Sequence, residues 1–398
     1  MAAMEILSWL SFVLLFCILI YKTIKKETVK FHWTGLEKPI LGFVFFVILS
    51  AFFVEDITPI ERKYILGSQR WVLLFYTYYF LFLNEWVSSK KNLQALIIFV
   101  TLVSIYSILQ TFWGWDIFRS APYKPTPFSS LEIWRAKGFF SNPITYANSI
   151  NILGLFVLGL LLNTKEKLFH KENKFYWMSF LLISIALFFS FTRGAWLGFI
   201  VGGLWMALLT SRRIFLRALL SLIIIFITAF SLFTPFRERV TKTAMAKNQS
   251  SVSNRLLLWR SNFEMFKDHP YLGVGLFLNE RKVQKYHYKI QDKQGMVGHA
   301  HNVYLQVLVG VGIFGFIFFV WFYGKAYFYL YKSYLQLTEP SFNKAILLGS
   351  LGALTSFYVS GLTEPNFFDG EVTHMFVFLL AFSYSIKNRM RSKIESEA

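Results

Sequence analysis

The sequence predicts an all-α integral membrane protein, and three observations carry that prediction. Of 398 residues, 55% are hydrophobic and 20% aromatic, including 46 Phe, whereas 16% are charged. A soluble chain carries about a quarter charged residues. Apolar runs of about 16 to 20 residues recur along the chain, long enough to cross hydrocarbon as helices. They are continuous rather than alternating, which argues against membrane strands. One long basic segment, Pro235 to Gly298, interrupts the series and predicts a large helical outer loop.

In chain order the apolar runs place spans at about 6–21, 39–54, 64–83, 93–112, 143–162, 175–191, 195–210, 218–234, 302–324, 345–362 and 372–386. That makes eleven, or twelve if the first hairpin divides differently. The first run resembles a cleaved leader, but it lacks a preceding positive charge. Lys22, Lys25 and Lys26 follow it instead, which suits a retained, oriented helix. The short loops Lys22–Lys38, Lys90–Lys91, Lys165–Lys174, Arg212–Arg217, Lys325–Lys344 and Lys387–Lys393 are all basic. Positive short loops belong inside, whereas loops over about sixty residues are largely exempt. The expected topology therefore has 55–63, 113–142, 192–194, 235–301 and 363–371 outside, the N-terminus outside and the C-terminus inside. The linear organisation is 1–234 membrane helices, 235–301 outer loop, and 302–398 membrane helices and tail.

The net charge of +19 has two sources. About half the basic residues anchor short loops beside membrane lipids. The rest gather in the long loop, where they imply an anionic partner. The loop has no recognisable nucleic-acid module, so nucleic acid is not expected and a phosphorylated lipid fits better. The single cysteine, Cys17, lies in an apolar run and excludes a disulfide framework or a cysteine-based metal site.

Four constellations carry candidate chemistry. In Ser190-Phe191-Thr192-Arg193-Gly194, Arg193 sits between two apolar runs with almost no loop. An arginine at membrane depth costs about 2.5–3.5 kcal/mol and marks a functional or paired position. Its fork suits a phosphate clamp; the structural alternative is snorkelling to headgroups. The second runs from Asn254-Arg255 through Trp259-Arg260 and Phe263 to His269-Pro270 and Gly273-Val274-Gly275. Helical spacing of Leu256, Trp259, Phe263 and Phe266 predicts an amphipathic helix over the membrane. With Asn254 as its cap, Arg255 falls in the first turn, where the dipole disfavours a purely structural cation. Arg260, five residues on, lies about 140° round the helix and need not share its target.

The third is Gly298-His299-Ala300-His301-Asn302, followed after nine residues by Gly312-Ile313-Phe314-Gly315. At the start of a membrane helix, the positive helix end disfavours an imidazolium, so His301 is available as a neutral base. His-x-His could also hold zinc, but spacing reveals no third ligand. An inert interfacial pair is the structural alternative. The fourth, Thr363 to Glu371, carries Glu364, Asp369 and Glu371. These acids cap helix ends, orient a histidine or bind sugar hydroxyls.

The Arg193-Gly194 turn, the Arg255…Trp259 segment running into His269-Pro270-Tyr271-Leu272-Gly273-Val274-Gly275, and His301-Asn302 with its following Gly-x-x-Gly resemble the O-antigen ligase and polymerase superfamily. The resemblance spans most of the chain. It implies a GT-C-like membrane fold and an active site at the periplasmic side of the bacterial inner membrane. It also implies an undecaprenyl-diphosphate-linked glycan as donor. The acceptor is lipid A–core for a ligase or another carrier-linked repeat for a polymerase. It further implies that Arg193 and Arg255 bind the diphosphate and that His301 activates the acceptor hydroxyl. Arg260, His299 and Asn302 become secondary substrate contacts, and no cofactor or metal is expected. A lipid-linked glycan flippase is the non-enzyme alternative. It would favour ionisable groups near the midplane, whereas here they collect at one end.

Overall fold

The computed structural model describes residues 2–119, 121–122, 133–163, 173–244, 251–291 and 297–397. The chain is about 80% helical with almost no strand, an all-α membrane protein. The helices in chain order are α1 (Ala2–Ile24), α2 (Glu37–Phe53), α3 (Pro59–Gly67), α4 (Trp71–Leu83), α5 (Ser89–Trp113), α6 (Pro143–Leu162), α7 (Lys174–Phe189), α8 (Arg193–Thr210), α9 (Arg212–Leu232), α10 (Thr234–Ala244), α11 (Ser251–Asp268), α12 (Asn279–Gln291), α13 (Val303–Leu335), α14 (Phe342–Ser360) and α15 (Gly370–Glu397). A two-residue ribbon, Trp115–Asp116 against Ala121–Pro122, is the only sheet among the described residues.

Nine of the eleven apolar runs fall on single helices, and the run 302–324 is broken at Gly312. The third divides into α3, a 3-10 turn at Ser68–Arg70, and α4. A capping box explains the start of α3: the Thr58 hydroxyl accepts from the Glu61 backbone, and the Glu61 carboxylate accepts from the Thr58 backbone. Among the described residues, five helices are long and apolar enough to cross a membrane: 90–113, α6, α8, α9 and α13. Within the expected loops 113–142 and Lys165–Lys174, residues 120, 123–132 and 165–172 lie outside the described residues.

The chain forms two compact units, neither continuous in sequence. One comprises residues 1–89, 248–332 and 361–398; the other comprises 90–247 and 333–360. The long loop is thereby shared: α10 belongs to the second unit, α11 and α12 to the first.

In the second unit, α14 lies against α6 and α8 through small residues. A Cβ on Gly159 would meet the Ala345 carbonyl oxygen at 2.6 Å, and one on Gly198 the Ser356 carbonyl oxygen at 2.6 Å. Such stripes let backbones approach where lipid supplies no hydrophobic drive between helices. Asn151 locks the contact, donating to the Ala195 carbonyl (3.1 Å) and accepting from the Ser356 hydroxyl (2.8 Å).

In the first unit, α4 and α15 pack through aromatic edges, Phe82 lying 5.1 Å from Phe382 and 5.4 Å from Phe378 between centroids. The decisive local feature is a break in α13. At 33 residues a straight helix would reach about 50 Å, well beyond hydrocarbon thickness. It changes course at Gly312, φ 71° and ψ −175°, a conformation essentially reserved for glycine. The break exposes carbonyls that a neighbouring turn satisfies. Val274 N–H donates to Val309 O (2.9 Å), Gly275 N–H to Gly310 O (3.0 Å), and Ile313 N–H to Pro270 O (2.8 Å). The Ser50 hydroxyl also donates to Gly310 O, at 3.0 Å. The Gly273-Val274-Gly275 and Gly-x-x-Gly motifs are therefore two sides of one junction.

A Cβ on Gly312 would collide with the Tyr271 carbonyl. Gly312→Ala should cost about 3 kcal/mol or more, from the backbone conformation and the clash together. Gly324→Ala, which meets nothing within 4 Å, should be near neutral. Thermal unfolding of the two detergent-solubilised variants checks the contrast; equal stability would contradict it.

Candidate active site

The site is assembled where the long loop returns to α13. The His299–Asn302 segment is set by its backbone. Asn302 caps α13: its side-chain oxygen accepts from Leu305 N–H (3.0 Å), and its carbonyl accepts from Gln306 N–H (2.9 Å). Immediately before it, His301 takes a left-handed conformation, φ 47°, which persists in a non-glycine residue only when its surroundings enforce it. Trp259 on α11 is one such enforcer, its indole N–H donating to the Ala300 carbonyl at 2.9 Å.

Glu364 arrives from the far end of the sequence. After α14 the chain turns so that Val303 N–H donates to Gly361 O at 2.8 Å, seating residues 361–364 against the start of α13. Glu364 is 6% exposed and serves two partners. Arg255 Nη2 donates to its Oε1 at 2.5 Å, and His301 Nδ1–H donates to its Oε2 at 2.9 Å. The second bond fixes the tautomer: a proton on Nδ1 leaves the Nε2 lone pair available. A histidine held this way by a carboxylate is oriented as a proton acceptor.

His299 sits beside this pair, ring centroids 4.1 Å apart. Its Nδ1 accepts the His301 backbone N–H at 3.2 Å. Burial, helped by the neighbouring His301, pushes the His299 imidazole down to about 4, against the pull of Glu364. It is therefore neutral at physiological pH, and its visible role is to hold the turn. At the start of α12, burial pushes the Glu280 carboxyl up, and the field of His301 opposes that rise.

The depressed His299 imidazole has a consequence for stability. The folded form resists a proton that the unfolded chain takes near pH 6.5, so the stabilisation is complete above that pH. It is lost progressively as pH falls toward about 4, by about 3 kcal/mol in all. His299→Asn keeps an acceptor for the His301 N–H but cannot protonate. Its unfolding temperature should fall less than the wild type's between pH 6.5 and 4; parallel curves would contradict this account.

The ligand atoms of His299, His301 and Glu364 all lie within 4.8 Å of one another. This corrects the expectation that a His-x-His metal site lacks a third ligand: Glu364 supplies one from sixty-odd residues away. As they stand, Glu364 bonds to His301 and Arg255, and His299 Nδ1 accepts the His301 backbone N–H. A metal would displace those bonds beside a guanidinium.

A second expectation also changes. Helix α11 is already formed at Ser251, so Asn254 is not its cap and Arg255 lies beyond the first turn. The ion pair with Glu364, not the helix dipole, explains why Arg255 is there. Arg260 is exposed on the outward face with Leu256, Phe263 and Lys267, away from the face that carries Arg255.

Arg193 belongs to the second unit. It opens α8 after the turn Ser190–Thr192, in which Phe191 has φ 50°. Two arginines not singled out from sequence serve that turn. Arg135 donates through Nε to Ser190 O (2.8 Å) and through Nη2 to the Thr192 hydroxyl (3.0 Å). Arg239 donates to Phe191 O at 3.3 Å. The turn thus gathers three guanidinium-bearing residues at a helix N-terminus, where anions are favoured.

Residues 178–320 match the family model described as O-antigen ligase. The match supports a relationship of this segment to the O-antigen ligase and polymerase superfamily. The match runs from α7 to the second limb of α13, so it contains Arg193, Arg255, the His299–His301 turn and the Gly312 junction. Glu364 lies outside it. The superfamily covers both ligases and polymerases, glycosyltransferase-like membrane enzymes whose substrates are lipid-linked glycans. Several long apolar helices and the family together make this a multi-pass membrane protein. A comparison with curated proteins returned no match.

Proposed function

We propose that this protein is an O-antigen ligase, transferring a glycan from undecaprenyl diphosphate to a lipid A–core hydroxyl on the periplasmic side of the inner membrane. The observation that carries the reading is the Arg255–Glu364–His301 chain, a base held in one tautomer by a buried carboxylate. His301 Nε2 takes the proton of the acceptor hydroxyl as that oxygen attacks the anomeric carbon. The carbon–oxygen bond to the diphosphate breaks on the opposite face, so configuration inverts. The diphosphate leaves with its electron pair, and cations neutralise its growing charge. Arg255 supplies donors through the guanidinium nitrogens not committed to Glu364, and the family resemblance makes Arg193 a further diphosphate ligand. Asn302, His299 and Arg260 have weaker claims on substrate, because the first two bond within the turn and the third faces outward.

The acceptor decides between ligase and polymerase. Purified protein should be given carrier-linked glycan alone or together with lipid A–core. Glycan on lipid A–core supports the ligase reading. Longer carrier-linked chains without lipid A–core would assign a polymerase instead. Movement of intact donor across a vesicle membrane, with no transfer, would make it a transporter.

A further inference from the structure

Beneath the histidine turn lies a closed set of side-chain amides from three elements: Asn262 on α11, Asn279 at the start of α12, and Gln306 in α13. They are 0%, 0% and 1% exposed. Gln306 Oε1 accepts from Ala300 N–H at 2.9 Å and from Asn279 Nδ2 at 3.0 Å. Gln306 Nε2 donates back to Asn279 Oδ1 at 2.7 Å. Asn279 Nδ2 also donates to Asn262 Oδ1 at 2.8 Å, and Asn262 Nδ2 ends the chain on Leu258 O at 2.8 Å.

The direction of this chain is forced. Ala300 N–H can only donate, so the oxygen of Gln306 must face it and the nitrogen must face Asn279. That choice orients Asn279 and, through it, Asn262. The Ala300 residue is consequently gripped at both ends, its N–H by Gln306 and its carbonyl by Trp259. The residue it precedes, His301, is the one held in the left-handed conformation. Buried amides cost stability unless every partner is met. Here the partners are met, and the last link is the peptide that carries the base.

We propose that Gln306, Asn279 and Asn262 are positioning residues for His301: their amide chain clamps the Ala300 peptide and so fixes the imidazole against Glu364. This rests on the reading of His301 as the base. The clamp acts through that residue, so its effect should vanish where His301 is gone.

The test is a double-mutant cycle on the full-length protein, with transfer from carrier-linked glycan as the readout. Gln306→Met preserves the side chain's length but removes its hydrogen bonds. It should lower the turnover rate about 10- to 100-fold, the scale of a misplaced catalytic group, with donor affinity unchanged. In a His301→Ala background the same substitution should cost less than about 3-fold, because groups acting as one unit are not additive. Equal losses in both backgrounds, or a wild-type rate in Gln306→Met, would overturn the proposal. Trp259→Phe removes only the indole donor to Ala300 and should show the same non-additivity if Gln306→Met does not fold. A substrate-free arm separates this claim from the functional reading. Carbethoxylation of His301 by diethyl pyrocarbonate, followed by mass spectrometry, should slow several-fold in either variant as Glu364 ceases to orient Nε2; an unchanged rate would count against the clamp whatever the enzyme's activity.

Discussion

His301→Ala should keep its fold and its affinity for the lipid-linked donor yet lose about 10²–10⁴-fold in transfer, the usual contribution of a positioned base. His301→Gln should be similarly poor, since a carboxamide can hydrogen-bond the acceptor hydroxyl but cannot take its proton. His299→Ala should be milder. Its ring supports the His301 backbone through one bond, whereas the Glu364 contact that defines the tautomer is made by His301 itself. Rates measured under single-turnover conditions, with donor binding measured separately, check all three. A near-normal His301→Ala beside an inactive His299→Ala would move the base by two residues.

Glu364 should matter almost as much. In Glu364→Gln the carboxamide confronts two donors, Arg255 and the His301 Nδ1–H, with one oxygen. Either Arg255 loses its acceptor, or the amide nitrogen faces Nδ1 and selects the other tautomer, leaving Nε2 protonated. Loss of the correct tautomer in a comparable acid–histidine pair costs about 10⁴-fold, so a fall of about 10²–10⁴-fold is expected here. Stability should respond differently. Removing one member of a buried pair costs about 3–5 kcal/mol, but the Arg255 side chain is 24% exposed and water recovers part of that. Glu364→Ala should therefore destabilise by less than this range, and Arg255→Ala together with Glu364→Ala by less than the sum of the two. Kinetics of Glu364→Gln and thermal unfolding of the double variant test the two halves. Wild-type turnover in Glu364→Gln would remove the orienting role.

The reach of sequence reasoning followed the length scale of each interaction. Helical runs were legible because a membrane span needs many consecutive apolar residues, and nine of the eleven coincide with one unbroken helix each. The His299–Asn302 segment was legible because a polar motif at the head of an apolar run stands out. The 3-10 turn at Ser68–Arg70 was hidden because hydrophobicity continues through it. The start of α11 was misplaced because Asn254 looks like a cap, while Ser251 to Ser253 already lie in the helix. Glu364 was visible only as one of three acids in a short loop. Its meeting with Arg255 and His301 depends on chain separations of 109 and 63 residues, which no local pattern encodes. The glycines at 273 and 312 stood out individually, but their common purpose at the broken helix emerges only when Val274 and Gly275 are seen donating across it.

The claim at the centre is that His301 works as a proton acceptor and that His299, His301 and Glu364 are not a metal centre. Transfer by purified wild-type protein should be measured after exhaustive treatment with EDTA, then again after adding zinc. The account predicts the same rate in all three conditions, with the His301→Ala defect unchanged by zinc. Activity lost to the chelator and restored by zinc would contradict it, assigning those three side chains as ligands and taking the base away from His301.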